Sequence, residues 1–409
     1  MNKETKIILL SSFFPDELYN EILKNSIGMP HTANDNFLRS LLKGYIQCEN
    51  VDLAVINAPL IGSFPFFYRK FIVNSIPKVR NKSYSFISLG YINITFIKSI
   101  MLFYKLRREL FKEMKNSFLN DTVIQVYGAH IPMMRAAISV KRIFKNVRIN
   151  LILPDLPEFY SHNSNVIWKF RSMLTTDYYR LIKKFDDYVL FTVFMAQRLN
   201  LSRLKFLVIE GIVNSNDFEG IQPYYTGKKR IVLYAGTLAK RYGIMDLVDA
   251  FNLIELTNVE LWICGSGDAS GVISDLSLIN PKFRYFGNVN RLLVQSLMLS
   301  SKVLVNPRKN SSEYTKYSFP SKTMEYLFSG IPVVMYKLDG IPSDYDDFIN
   351  YVAGNNLEDL KNAIESVLEK DIKYKQKAFE AKNFVALAKN EVVQANKIVQ
   401  FLVKNTFTN

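Results

Sequence analysis

Short apolar, β-branched runs alternate with amphipathic stretches along the sequence, and this alternation limits the fold more than any other feature. Strands that alternate with helices indicate βαβ units, whose parallel sheets are covered on both faces. The sequence therefore predicts an α/β fold. Helical patterns lie around 35–47, 94–117, 131–145 and 165–184. The strand candidates are 6–12, 51–57, 122–128, 148–154, 187–192, 206–211, 230–236, 259–267, 283–287, 303–307 and 331–336.

The length of 409 residues and one break in the pattern predict two domains. A charged, glycine-containing stretch at 227–230 precedes the second series of strands. We place a first Rossmann-like domain at residues 1–215, a second at 216–385, and a last helix at 386–409 that could cross back onto the first. Two such domains facing a central cleft would bind a ligand at the carboxyl ends of their strands. Dehydrogenases, periplasmic-type binding proteins and other classes share this plan, so the fold does not choose the function.

The composition excludes several classes of protein. With 48% hydrophobic and 22% charged residues, the chain is not disordered, collagen-like or coiled-coil. Its two cysteines, Cys48 and Cys264, cannot form a disulfide framework, and three separated histidines argue against a His-rich zinc site. The start of the sequence has no signal-peptide pattern, and no run of 18 apolar residues occurs. We therefore expect a cytosolic protein.

The positive charge is concentrated in the first half. Residues 1–210 hold 29 Lys and Arg against 16 Asp and Glu, a net charge of +13, whereas residues 211–409 have a net charge of +2. This asymmetry indicates that the first half faces an anionic partner. Compositional drift is the alternative.

The segment 94–117 has the pattern of a basic amphipathic helix. Such a helix is typical of a membrane-surface element, and the aromatic-basic run 64–71 supports this hypothesis. At about 1 kcal/mol per cation, six cations would hold the protein on an anionic bilayer. The alternative is a core-packed helix with a solvated basic face. The predicted apolar face holds Ile97, Met101, Tyr104, Phe111 and Met114, and the flanking cations are Lys98, Lys105, Arg107, Arg108, Lys112 and Lys115.

In the second half, a strand, a glycine turn and two cations follow one another in residues 234–243 (YAGTLAKRYG). The strand ends at Gly236, Thr237 comes next, Lys240 and Arg241 follow, and another glycine opens a helix. Backbone N–H groups, a helix N-terminus and two charges then meet at one place, as a diphosphate requires. The alternative is an ordinary βα turn with solvated Lys and Arg.

A second glycine loop, residues 264–268 (CGSGD), follows the next strand. Gly265 and Gly267 would let the backbone approach a ligand closely, although their spacing is not that of the dinucleotide-binding motif GxGxxG. A tight turn is the alternative for this loop.

The most specific site is the segment 317–326 (YSFPSKTMEY), in which a loop enters a short helix that carries Glu325. Loop amides that face an anion, with a carboxylate farther into the helix, could hold a phosphate and a ribose diol together. The alternative for Glu325 is a surface glutamate. The other candidate residues are Ser318, Phe319, Pro320, Ser321 and Lys322.

The ordered set AGTLAKRYG, WICGSGD, FRYFGNV, VLVNP and FPSKTMEYLFSGIPVV resembles glycosyltransferase family 4 over most of residues 229–336. The resemblance implies the GT-B fold, with two Rossmann-like domains facing a central cleft. It also implies a retaining enzyme that takes a sugar from a nucleotide diphosphate donor and uses no metal or other cofactor. UDP is preferred over GDP because uridine donors are common in this group.

The match to the family motifs is incomplete. In the family motif E-x7-E the second Glu contacts the ribose and matches Glu325, whereas the first contacts the donor sugar and falls at Tyr317. The diphosphate-binding Arg and Lys of the family motif GRLxxxKG fall at Thr237 and Tyr242. The candidate replacements are Lys240, Arg241 and Lys322.

The resemblance continues more weakly in the first half. The segment 28–37, with Asn34 and Asn36, looks like the family loop near the donor phosphates and the acceptor. His130 matches a position where many members place a His near the reacting sugar, and Asp155 could bind the acceptor hydroxyl. A structural His and a capping Asp are the alternatives. The resemblance implies front-face attack, in which the donor phosphate takes the acceptor proton and the enzyme stabilises the leaving diphosphate.

Together these features favour a hexosyltransferase-type glycosyltransferase, peripheral on the inner face of the plasma membrane, that assembles bacterial capsule, O-antigen or exopolysaccharide. The expected partners are a nucleotide-sugar, a lipid-linked glycan acceptor and an anionic membrane surface. One alternative is another GT-B enzyme, such as a nucleotide-sugar epimerase. The other is a basic nucleic-acid-binding protein, against which the balanced second half and the lack of a nucleic-acid-binding signature argue.

Overall fold

The computed structural model describes residues 5–28, 32–81, 83–115, 122–159 and 176–404. The chain forms two compact units, one made of Met1–Ile212 with Glu391–Asn409 and the other of Val213–Asn390. The predicted domains divide at 215/216 and 385/386, and the units divide at 212/213 and 390/391. Among the described residues, no helix is both long and apolar enough to cross a bilayer.

The first unit is built on an eight-stranded sheet of order β10-β9-β8-β7-β1-β2-β5-β4. Its pairings are parallel except for β4, which runs antiparallel to β5, and β3 and β6 form a separate antiparallel ribbon. The strands are β1 (Thr5–Ser11), β2 (Val51–Asn57), β3 (Ile72–Val73), β4 (Ile76–Arg80), β5 (Tyr84–Ser88), β6 (Tyr91–Ile92), β7 (Thr122–Tyr127), β8 (Arg148–Leu153), β9 (Asp187–Leu190) and β10 (Phe206–Val208).

Helices cover the sheet of the first unit, and a C-terminal helix, Glu391–Lys404, belongs to this unit. It packs on α2, where a Cβ on Gly44 would lie 2.1 Å from the backbone oxygen of Glu391. The buried Glu391 carboxylate pairs with Lys43 at 3.0 Å. The other helices are α1 (Asp16–Asn25), α2 (Thr32–Ile46), α3 (Thr95–Lys115), α4 (Ile131–Lys141), a helical segment at 176–182, and α5 (Val193–Leu199).

The second unit has a parallel six-stranded sheet of order β13-β12-β11-β14-β15-β16. Separate apolar cores lie on its two faces. The strands are β11 (Arg230–Ala235), β12 (Val259–Cys264), β13 (Phe283–Tyr285), β14 (Val303–Asn306), β15 (Val333–Met335) and β16 (Asn350–Tyr351). The helices are α6 (Ile244–Asn252), α7 (Ser270–Ile279), α8 (Arg291–Leu299), α9 (Ser321–Ser329), α10 (Leu357–Glu369) and α11 (Asp371–Ala388).

All the predicted strands are confirmed, with shifts of a few residues at their ends. The prediction for the apolar face of α3 holds only in part, because Met114 is buried and Met101 and Phe111 are half-buried, but two other members are exposed. Ile97 and Tyr104 are 46% and 61% exposed. The buried stripe instead follows leucines at i, i+4 spacing, since one face of a helix repeats at that interval. It consists of Leu102, Leu106, Leu110 and Met114.

Two backbone loops of the second unit approach closely after β11 and β12. Gly236 N–H donates to Cys264 O at 3.0 Å, and Leu238 N–H donates to Ser266 O at 2.9 Å. A Cβ on Gly265, whose φ is +132°, would lie only 1.8 Å from Gly236 O. The two loops therefore require glycine at position 265.

Helix α9 is joined to the end of β11 through one hydroxyl. Ala235 N–H donates to the buried Tyr326 hydroxyl at 2.8 Å, and that hydroxyl donates back to Ala235 O at 3.1 Å. The register between β11 and β14 covers Val232 and Leu233. Ala235 lies beyond these two paired positions. The hydroxyl of Tyr326 therefore supplies hydrogen-bond partners for the backbone N–H and C=O of Ala235.

Replacing Gly265 by Ala should destabilise the second unit by an amount on the order of 2–6 kcal/mol, because backbone strain and a clash with Gly236 O combine. The matched control is Gly287→Ala, where φ is +68° but the space is open. The control should lose about 1 kcal/mol from strain alone. Urea unfolding measures the free energy of unfolding of both variants. Equal losses of this free energy would contradict the close approach of Gly265 to Gly236 O.

Replacing Tyr326 by Phe should lower the free energy of unfolding by about 1–3 kcal/mol, since the N–H of Ala235 would be buried without a partner. Tyr336→Phe is the control, because among the described residues the buried Tyr336 hydroxyl has no hydrogen-bond partner. Its removal should leave stability unchanged or slightly raised. Equal destabilisation of the two variants in urea unfolding would contradict the assigned bridge.

Candidate functional site

The predicted donor residues of the second unit gather where β11 and β12 end and α9 begins. The loops that contain Gly236 and Gly265 are held together by the backbone contacts described above. A Cβ on Gly267 would lie 2.4 Å from Leu238 O, so this glycine also permits a close backbone approach. Because Tyr326 ties α9 to Ala235, the helix N-terminus lies at the same edge of the sheet.

Glu325 lies on the second turn of α9, with 23% of its side chain exposed. Its Oε2 accepts a hydrogen bond from Lys322 Nζ at 2.7 Å. Burial acts to raise the pKa of the Glu325 carboxyl, but the charges of Lys322 and Arg291 outweigh it and hold that pKa below its ordinary value. The carboxylate is therefore ionised at neutral pH and can accept hydrogen bonds from hydroxyl groups.

In the loop 318–321, mainly backbone atoms are accessible to a ligand. The side chains of Phe319 and Pro320 are buried, and the Phe319 ring packs 5.5 Å from that of Tyr345. A contact of these two residues with a ligand would therefore use their backbone atoms. The hydroxyl of Ser318 is buried and, among the described residues, lacks a hydrogen-bond partner, whereas Ser321 is exposed at the start of α9. The phenol of Tyr317 lies 3.4 Å from Glu313 Oε1.

Lys240 and Arg241, the two cations after Gly236, make different contacts. The backbone N–H of Lys240 donates to Asp268 Oδ1 at 2.8 Å, which fixes the turn while the side chain stays exposed. The guanidinium carbon of Arg241 lies 4.9 Å from the centroid of the Tyr242 ring. Thr237 is exposed, and its backbone oxygen accepts from the hydroxyl of Tyr234.

Arg308 is a further cation at this edge, and sequence reasoning missed it. Its guanidinium carbon lies 4.7 Å from the ring centroid of Tyr242 and 4.3 Å from that of Tyr314, and its Nε donates to the Tyr314 hydroxyl at 2.7 Å. Arg241 and Arg308 thus meet at Tyr242, where the family motif has its Lys. The signal in the sequence was a cation directly after Asn306-Pro307, at the end of a strand.

In the first unit, three predicted residues lie near the carboxyl ends of β7 and β8. His130 occupies the N-cap position of α4 without a side-chain capping bond, and its ring lies against Gly128, where a Cβ would be 2.8 Å from Nε2. Asp155 follows β8, which pairs with β7, and is half-buried. Tyr127 at the end of β7 donates to Asn34 Oδ1 at 3.1 Å. The fold therefore brings Asn34, His130 and Asp155 to one edge of the sheet.

The other residues predicted for the first unit have separate surroundings. Asn36 is half-buried on α2, and residues 29–31 of the predicted loop 28–37 lie outside the described residues. Lys105 Nζ donates to Gly90 O at 2.6 Å, so this cation is engaged within the protein. Arg107 stacks 4.8 Å from the Phe111 ring, and Arg108 has 75% of its side chain exposed.

Metal-ligand clusters are absent from the described part of the chain. It holds no group of three or more His, Cys, Asp or Glu side chains able to bind a metal ion. Burial raises the pKa of the Cys264 thiol to about 12, so this thiol is not a reactive nucleophile at neutral pH.

The family model for glycosyl transferases group 1 matches residues 222–384. No curated protein sequence matches the chain. Solved structures match it over nearly its whole length at low sequence identity. Sucrose-phosphate synthase from Thermosynechococcus elongatus has a TM-score of 0.67 at 16% identity, covering 99% of this chain and 100% of that one.

Two further structures are similar to the same extent. Anabaena HepE in complex with UDP has a TM-score of 0.62 at 12% identity, covering 98% of this chain and 100% of that one. The lipopolysaccharide outer core galactosyltransferase WaaB has a TM-score of 0.61 at 13% identity, covering 98% of this chain and 99% of that one. The chain thus has the GT-B fold, and its residues 222–384 match the family model for glycosyl transferases group 1.

Proposed function

We propose that the protein is a retaining, metal-independent glycosyltransferase that moves a hexosyl group from a nucleotide diphosphate donor to a glycan acceptor. One observation carries the proposal. An ionised Glu325, the N-terminus of α9 and two glycine loops meet at one edge of the second unit. The match of residues 222–384 to glycosyl transferases group 1 supports the reaction class.

In this proposal the donor binds the second unit through its nucleotide. The ribose hydroxyls donate to Glu325, and the diphosphate lies at the first turn of α9, where backbone N–H groups and the helix dipole favour an anion. Lys322 supplies a further donor. UDP is the preferred nucleotide, and the presence of UDP in the similar HepE structure supports that choice.

The leaving group in this reaction is the nucleoside diphosphate, on which negative charge grows as its bond to the sugar C1 breaks. Arg308 and Arg241, both held on the Tyr242 ring, are permanent cations suited to stabilise that charge. The acceptor oxygen bonds to C1 on the same face, and its proton passes to the departing phosphate. His130, Asp155 and Asn34 are the proposed acceptor-side residues of the first unit.

The proposed acceptor is a lipid-linked glycan of bacterial surface-polysaccharide assembly, used at the inner face of the plasma membrane. The support for it is the net charge of +13 over residues 1–210, which suits an anionic surface. WaaB, one of the similar structures, is a lipopolysaccharide galactosyltransferase.

UDP should raise the melting temperature of the wild-type protein more than GDP, ADP, CMP or NAD does. The Glu325→Ala variant should lose at least tenfold in UDP affinity, since one or two charge-assisted hydrogen bonds disappear. Glu358→Ala, on the exposed first turn of α10, is the control and should bind UDP normally. Donor turnover that needs no acceptor would instead favour the epimerase alternative, and the absence of any nucleotide effect would refute the donor site.

Arg308→Met keeps the length of the side chain but removes its charge, so it should weaken UDP binding about tenfold and lower kcat further. Lys240→Met tests the competing assignment of the diphosphate cation. If Lys240→Met impairs UDP binding and turnover while Arg308→Met does not, the assignment of Arg308 is wrong. Calorimetric titration with UDP and initial rates at saturating donor separate the two effects.

A further inference from the structure

Large apolar side chains stand exposed at one place in the first unit, which we term the apolar tip. It comprises Phe66, Phe67, Phe71, Phe96, Ile100 and Tyr104. Their exposed fractions range from 53% for Phe71 to 82% for Phe96. Scattered single apolar residues are ordinary on a protein surface, but several large exposed apolar side chains on neighbouring segments mark an interaction site.

Hydrogen bonds join the segments that form the apolar tip. Phe64 N–H donates to Asn93 O at 2.9 Å, and Asn93 N–H donates to Phe71 O at 2.6 Å. The ribbon of β3 and β6 pairs Ile72 with Ile92. Lys98 Nζ donates to Ile61 O and to Asn93 Oδ1, which ties the start of α3 to both segments.

The segments that form the apolar tip are basic, with Glu21 of α1 and Glu109 of α3 beside two of their cations. From residue 53 to residue 108 the sequence contains nine Lys and Arg and no Asp or Glu. Some of these cations, such as Lys98 and Lys105, bind backbone oxygens, whereas Lys70 pairs with Glu21. The Arg108 side chain is 75% exposed. An aromatic surface within a stretch that lacks acidic residues suits an anionic partner with an apolar interior.

A basic groove adjoins the apolar tip. It has a volume of about 310 Å³ and lies between α3, α4 and the helical segment 176–182. Within the described ranges, none of its four cations makes an ion pair, and Asp177 also lines it. Phe103 on its wall lies 5.1 Å from Tyr104 of the tip, ring centroid to ring centroid. The four cations are Arg135, Arg142, Arg180 and Lys184.

We infer that the first unit binds an anionic phospholipid bilayer, with the apolar tip inserted among the lipids and the basic groove holding lipid phosphates. Aromatic side chains partition well into the interfacial region, and nearby cations add attraction to anionic headgroups. A second copy of this chain is a poorer partner, because its own first half is strongly positive. Duplex DNA would leave the aromatic side chains without a role. The inference does not depend on the donor chemistry.

The test is co-sedimentation of the full chain with vesicles of phosphatidylcholine alone and of equimolar phosphatidylcholine and phosphatidylglycerol. The wild type should bind the anionic vesicles far more tightly, and added salt should weaken this binding. The triple variant F66S/F67S/F96S should lose at least about tenfold in affinity, because less apolar area is buried. R135Q/R180Q should lose roughly fivefold for each cation removed.

Matched controls come from the second unit. L278S/I279S removes two side chains on α7 that are 82% and 80% exposed, and K282Q/K302Q removes two exposed cations. Both controls should bind vesicles like the wild type, and all variants should keep the melting temperature and the response to UDP. Loss of vesicle binding with an intact UDP response separates this inference from the proposed function.

Three results would overturn the inference. The first is that the wild type does not bind anionic vesicles. The second is that the tip variant F66S/F67S/F96S and the α7 control L278S/I279S lose vesicle affinity equally. The third is a wild-type dimer in size-exclusion chromatography that the F66S/F67S/F96S substitution dissociates. That result would make a second copy the occupant of the apolar tip.

Discussion

The close approach of Gly265 to the backbone oxygen of Gly236 is the contact on which the rest of the second unit's site depends. It makes the loops after β11 and β12 one hydrogen-bonded piece. Tyr326 then joins α9 to that piece, which fixes the position of Glu325. Backbone contacts therefore set the geometry of the candidate site, and the charged side chains extend from this backbone frame. A preorganised frame of this kind lowers the entropic cost of binding a donor.

The positions of most strands could be predicted because buried parallel strands are continuous apolar runs. The predicted run 51–57 coincides with β2. The strand β5 was missed because Tyr84–Ser88 mixes serines with aromatic residues, and its partner β4 contains a proline and exposed cations. The buried leucines of α3 were missed because apolar residues lie on several sides of this helix, and only contact with α4 decides which are buried.

The candidate site shows the same division between local pattern and tertiary contact. Glu325 and the glycine loops could be proposed from the sequence because each lies in a contiguous motif. Arg308 was missed because it enters from β14, a different strand, and meets Arg241 only through the Tyr242 ring. The family positions at Thr237 and Tyr242 lack cations, and the fold brings Arg308 to the second of them. The buried side chain of Phe319 likewise depends on contacts with Tyr345 that no local pattern reveals.

The most direct measurement is a crystal structure of the full chain with bound UDP. We expect the ribose hydroxyls on the carboxylate of Glu325 and the diphosphate at the first turn of α9, within reach of Arg308. A nucleotide bound elsewhere, or a ribose that does not touch Glu325, would contradict the assignment of this edge of the second unit as the donor site.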